Sequence, residues 1–178
     1  MWVRVNTSTG EDEPLLPVLT KRQQEISVSV VGVIGMGWKS PLGWLPRNWN
    51  RDQLPEVFSR DVLPAIKGKL RRGQLTRLIW DNDGRHFAAP WLELEDRERL
   101  NPIRPHPSNS PDLNPIENVW SLLKRDVEEA GPTTEQELRD AIQAAWDRVS
   151  RQRCTDLMNS LPSRLAAARR LKGGRTKY

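Results

Sequence analysis

The segment from Ser110 to Val127 limits what this chain can fold into more than any other stretch. It begins Ser-Pro-Asp-Leu-Asn-Pro-Ile-Glu-Asn-Val-Trp and runs into an apolar repeat. Pro111 and Pro115 each fix φ and remove an amide donor, so this is a stiff loop and not a central strand. Asn114 suits an N-cap, Pro115 suits the first helical position, and Glu117 falls in the first turn. Ile116, Val119, Trp120, Leu123 and Val127 then recur on a 3.6-residue period, the mark of a helix with one buried stripe. A rigid loop therefore aims a carboxylate at the start of a packed helix. Asp112 and Asn114, each beside a proline, are expected to bond nearby backbone amides and shape that loop.

The rest of the chain supplies a frame for that helix. Trp2 to Val5 reads as a strand end and Gly10 to Pro17 as a loop. Ile26, Val28 and Val30 alternate with Ser27 and Ser29, a strand with two distinguishable faces. Gly35 to Gly43 reads as a hairpin leading to a second strand near Leu42 to Leu45. Asn50 is placed to cap a helix through Leu54, Val57, Phe58, Val62 and Leu63, which Pro64 and Gly68 should disturb. Thr76 to Trp80 reads as a strand closed by the turn Asp81-Asn82-Asp83-Gly84. A helix from about Pro90 to Leu100 should carry a solvated acidic face of Glu93, Glu95, Asp96 and Glu98, and Asn101 to Pro107 allows one short edge strand. Thr134 with Glu137 fits a capping box for a helix through Leu138, Ile142, Ala145, Trp146 and Val149. Leu157, Met158, Leu161 and Leu165 suggest one or two more helices, ending at Gly173-Gly174. Strands alternating with helices predict an α/β fold with a mixed sheet flanked by helices. On this reading residues 1–130 form the core and 131–178 a helical C-terminal extension.

Two carboxylates stand out by position. Asp81 is expected at the C-terminal end of a strand and Glu117 at a helix start, the places where an α/β sheet gathers its active site. Together they could hold Mg²⁺, a hard cation that takes oxygen ligands, and a two-metal site can activate a water or hydroxyl against a phosphodiester. Spacing alone is a weak signal, because most acids are solvated surface charge. The charge pattern adds to it. Lys plus Arg is 28 against 23 for Asp plus Glu, a net +5, and the excess is clustered. From Val62 to Trp80 there is no acid, while Lys67, Lys69, Arg71, Arg72 and Arg77 occur, and no acid follows Asp156. Such runs are either a solvated face or phosphate contacts. The single cysteine, Cys154, excludes a disulfide framework and reads as core within a helix. The apolar stretch from Val28 to Met36 is too short to span a bilayer, and the N-terminus has no signal-peptide core, so a soluble intracellular protein is expected.

The residues from Ser110 to Trp120, followed by Leu122, Leu123, Lys124 and Arg125, closely resemble the signature around the last carboxylate of mariner-type DDE transposases. Trp80-Asp81-Asn82-Asp83-Gly84-Arg85-His86 resembles the family's element around the second carboxylate, although Arg85 replaces a small or apolar residue. Arg153-Cys154, Leu161 to Leu165 and Lys172 to Tyr178 are similar to the end of such proteins, so the likeness runs from about Trp2 to Tyr178. It implies a ribonuclease-H-like fold, with Asp81 and Glu117 as second and third members of a catalytic triad holding Mg²⁺ or Mn²⁺. The 35 residues between them (117 − 81 − 1) are within about one of the family's usual gap. Asp83 is the competing position, and the Asn and His that follow favour Asp81. Asn82, His86, Asp112 and Asn114 are expected to support the carboxylates, with contact to DNA as the alternative for His86. Lys67, Lys69, Arg71, Arg72, Lys124 and Arg125 are candidate DNA contacts. The implied partners are transposon ends and target DNA, with a possible homodimer, no membrane and no small-molecule substrate, and a nuclear location if the source is eukaryotic. Counting back from Asp81 by the family's spacing runs past Met1. The chain is therefore expected to be N-terminally truncated, to lack the first triad Asp, and to be inactive alone. A domesticated, non-enzymatic DNA- or protein-binding module is the alternative.

Overall fold

The computed structural model describes residues 2–6, 26–73, 77–80, 84–103 and 113–171, with positions 2–6 and 84–85 described by backbone only. Strand β1 (Trp2–Asn6), β2 (Ser27–Val31) and β5 (Gly43–Leu45) form an antiparallel sheet in the order β1-β2-β5. Val30 lies opposite Val3 on one side and Trp44 on the other. Between β2 and β5 a small hairpin pairs β3 (Ile34–Gly35) with β4 (Trp38–Lys39). The alternation read from Val28 and Val30 holds, and the sheet is covered on both faces. Val28 and Val30 join one buried cluster, while their neighbour Val31 and Leu45 join another. Adjacent residues of a strand point to opposite faces, which is how one short strand feeds two cores.

The first core is built by α4 (Ile116–Ala130), α5 (Glu135–Arg148) and α6 (Arg151–Asn159). All five residues of the α4 stripe are buried. Trp120 stacks on Trp146 of α5, with ring centroids 5.3 Å apart and planes 19° apart. Gly131, at φ 60°, ends α4 in the left-handed conformation that only glycine adopts without cost. The Thr134–Glu137 capping box is present at the start of α5. At the other end of α5 the Lys39 ammonium donates to the carbonyls of Trp146, Asp147 (2.9 Å) and Val149 (2.8 Å). Trp146 Nε1 donates to the Ser40 carbonyl at 3.0 Å. A cation at the negative end of a helix is favourable, and here it ties the hairpin to α5. In α7 (Leu161–Arg170), Leu165 is 48% exposed, so the expected stripe stops short of it.

The second core packs α1 (Gln53–Val57), a π-helical turn (Phe58–Val62), α2 (Leu63–Arg71) and α3 (Ala89–Arg97) on the other face. Asn50 does act at the start, its Oδ1 accepting from Asp52 N (2.9 Å) and Gln53 N (3.2 Å). Pro64 and Gly68 do not break the helix as expected. The π turn precedes Pro64, with Leu63 N bonded to Phe58 O, and the wider turn accommodates a residue that lacks an amide donor. The expected strand at 76–80 is reduced, among the described residues, to one parallel bridge between Leu78 and Pro102. Leu78 N donates to Asn101 O and Ile103 N to Leu78 O. Glu95 corrects the picture of a wholly solvated acidic face on α3. It is 7% exposed and accepts from Trp91 Nε1 at 2.8 Å, one turn earlier.

Two glycines are expected to respond oppositely to alanine. A Cβ at Gly35 would lie 2.3 Å from Trp38 Nε1, so Gly35→Ala should lose about 1–3 kcal/mol in urea unfolding. In mid-α2, a Cβ at Gly68 meets nothing nearer than Arg72 Nη2 at 3.7 Å, and Gly68→Ala should gain about 0.5–1 kcal/mol.

Candidate active site

The entry to α4 presents Glu117 by burying what comes before it. Leu113, Asn114, Pro115 and Ile116 are all buried, and Glu117 is the first partly exposed side chain. Glu117 N donates to Asn114 O (3.1 Å) and Asn118 N to Pro115 O (3.3 Å), which fixes the first turn. The N-cap falls at Pro115, not at Asn114 as expected, and no side-chain cap bond is made there. Asn114 is instead buried, its Nδ2 without a hydrogen-bond partner among the described residues. A carboxylate in the first turn of a 15-residue helix lies at the positive end of the helix dipole and can offer oxygen donors.

Arg164 supports this turn, a role no sequence signal suggested. It is 3% exposed on α7, its Nε donating to Ser160 Oγ (2.7 Å) and its Nη2 to Asn118 Oδ1. The last helix is thereby pinned to the residue after Glu117.

The second candidate carboxylate, Asp81, lies outside the described residues, as do Asn82 and Asp112. The chain on either side of Asp81 and Asn82 is firmly anchored. Trp80 is 6% exposed and makes edge contacts with Phe58 (5.6 Å between centroids) and Trp91 (5.3 Å). His86, 1% exposed, lies 4.7 Å from Trp91 and 5.8 Å from Trp80. Trp80 and His86 thus close the two ends of the intervening segment against each other. Trp80 Nε1 is a second buried donor with no partner among the described residues. Such orphaned donors are uncommon, and they stand one residue before Asp81 and three before Glu117.

The candidate DNA contacts divide by what already holds them. Lys67 is ion-paired with Glu98, whose carboxyl that contact holds below its usual range. The Lys69 ammonium lies 5.5 Å from the centre of the Trp38 ring. Arg71 and Arg72 are exposed. Lys124 and Arg125 reach Glu128 and Asp126 only at 3.8 Å, with side chains 62% and 71% exposed, and such surface pairs hold weakly.

The DDE superfamily endonuclease family model matches residues 4–139. The chain belongs to that family. The Tcb2 transposase of Caenorhabditis briggsae is 31% identical over 177 residues, covering 99% of this chain and 63% of that protein. The Tcb1 transposase of the same organism is 28% identical over 152 residues, covering 85% and 55%. The chain thus spans little more than half the length of these relatives. The Mos1 transposase catalytic domain solved with Raltegravir and Mg superposes with a TM-score of 0.71 at 13% identity, covering 85% of this chain and 78% of that one. The Mos1 strand transfer complex gives 0.72 at 13% identity, covering 99% and 54%. At that identity the likeness establishes the fold, which is ribonuclease-H-like, as the transposase words of the sequence imply. No helix among the described residues is long and apolar enough to cross a membrane.

The donor chemistry near Glu117 suits a hard divalent cation. Glu117 offers oxygen, whereas His86 is enclosed by aromatic rings and Cys154 is fully buried. Among the described residues no three His, Cys, Asp or Glu side chains converge. Burial also pushes the Cys154 thiol up, with Lys39 acting against it more weakly. Cys154 should therefore react with a thiol reagent far more slowly at pH 8 in the folded chain than in urea, and equal rates would contradict its assignment to the core.

Proposed function

We propose that this chain is the part of a DDE transposase that cuts and joins DNA phosphodiesters with Mg²⁺ or Mn²⁺, Asp81 and Glu117 holding the metal. The observation that carries this is Glu117, presented at the first turn of α4 by four buried residues, within the span that the family model matches. A metal held there would supply Lewis acidity toward a phosphodiester and would lower the pKa of a bound water or hydroxyl. The chain's own residues hold and aim. Asn114 and Pro115 set the direction of Glu117, Asn118 and Arg164 fix its turn, and Trp80 with His86 anchors the segment carrying Asp81 and Asn82. Asp112 is proposed to shape the loop before Asn114.

DNA is the proposed partner, as transposon ends and target, with two copies of the protein acting together. The Mos1 relatives include a strand transfer complex and a paired-end complex, which supports this reading. Residues 131–178 are proposed as a helical extension folded onto the core. Two carboxylates leave the in-line geometry incomplete, so the 178-residue chain is proposed to need a third from additional polypeptide.

Accordingly, the chain alone should show no Mg²⁺- or Mn²⁺-dependent nicking of supercoiled DNA. Joined to a segment that supplies the first-strand Asp, it should nick, and Glu117→Gln should lower that rate by at least about a hundredfold, since even residues behind metal ligands cost 10–100-fold. Nicking by the joined protein that survives both Asp81→Asn and Glu117→Gln would sink the assignment. Metal-independent DNA binding with no nicking in any form would favour a non-enzymatic module.

A further inference from the structure

A cleft of about 460 Å³ lies between the β3–β4 hairpin, the end of α2 and the start of α6. Trp38 and Lys39 line it from the hairpin, Lys69 and Arg72 from α2, and Arg151 from α6. The remaining lining residues are Gly37, Val149 and Cys154, so among the described residues no carboxylate lines it. Four cations from three elements distant in sequence are thus gathered around one space, where their mutual repulsion favours an anion.

Each cation has a distinct part. All three Lys39 protons go to carbonyls at the end of α5, so Lys39 gives the cleft charge and not a donor. Trp38 is 8% exposed and forms a wall on which the Lys69 ammonium rests. Arg72 and Arg151 are exposed, and their planar guanidinium forks match phosphate oxygens. Arg151 is also the first residue of the nine-residue α6, whose Ser150 Oγ takes the amide of Arg153 at 3.0 Å. That capped helix start adds partial positive charge beside the cleft.

We propose that this cleft is a subsite for the sugar-phosphate backbone of a DNA strand. Arg72 and Arg151 take phosphate oxygens, Lys69 flanks them, and Lys39 supplies field from behind. The subsite rests on the reading of the chain as acting on DNA and narrows the basic run to the members that converge. Arg151, from a helix far along the sequence, joins it, while Lys67 is turned to Glu98.

The test uses the 178-residue chain and a short DNA duplex, with affinity measured from low to physiological salt. Each phosphate contact contributes about 0.9 to the slope of log K against log salt. Arg72→Gln with Arg151→Gln should lower that slope by about 2. Arg47→Gln with Arg51→Gln, which removes the same charge from an exposed loop, should leave it unchanged. All four arginines are exposed, so circular dichroism should be the same for every variant. Equal slopes for the wild type and the cleft variant would overturn the subsite and leave DNA binding standing. An equal fall in both double variants would reduce the effect to net charge and also overturn it. Competition by millimolar inorganic phosphate, with the duplex slope unaltered by the cleft substitutions, would mark a small-anion site instead. No duplex binding by the wild type at low salt would remove the DNA reading itself, and the subsite with it.

Discussion

Burial of the α4 stripe against β2 and α5 sets where Glu117 can be. Each of the five stripe residues contributes about 1.5–3 kcal/mol on burial, so the helix cannot rotate about its axis without losing most of that energy. Glu117 follows directly after the first stripe residue, Ile116, and so takes its position from the core. The same buried cluster includes Val28 and Val30 of β2, whose neighbour Val31 feeds the core that holds Trp80, against which His86 lies. A single strand covered on both sides is therefore the common reference for both halves of the proposed metal site.

The sequence showed best what is decided locally. The α4 stripe, the Thr134–Glu137 box and the β2 alternation all follow from spacing within one element, and each is present. Features that depend on a distant partner were not visible. Thr76 to Trp80 has strand composition, but pairing needs a neighbour, and Leu78 finds one only at Pro102. Glu95 looked like surface charge because its donor, the Trp91 indole, is recognisable only once the helix is packed. Arg164 lies in the acid-free stretch after Asp156 and looked like one more surface cation, whereas its value comes from Asn118 on another helix. Pro64 was expected to disturb a helix, yet a local change of hydrogen-bond register accommodates it. For the site itself, the motif words located Glu117 and its rigid approach. The buried support behind it, and the gathering of Arg72 with Arg151, required the fold.

The positive charges of this chain are not one population. Lys39 and Arg164 are consumed internally, one on carbonyls at the end of α5 and the other on Ser160 and Asn118. Lys67 is paired, whereas Arg71, Arg72, Lys124 and Arg125 stand at the surface. A net charge of +5 thus understates how unevenly cation is offered to a polyanion. What matters for recognition is which guanidinium and ammonium groups remain after the fold has used its share.

The bonds from Lys39 and Ser40 to α5 join residues 106 to 110 positions apart. During synthesis at 5–20 residues per second, the hairpin therefore leaves the ribosome roughly 5–20 s before its partner helix does. Through that interval Lys39 has none of its carbonyl acceptors, and the β3–β4 hairpin has nothing from α6 to pack against. Strand edges left uncovered during that interval are places where another strand can pair, so the hairpin's late partner prolongs the chain's exposure to association.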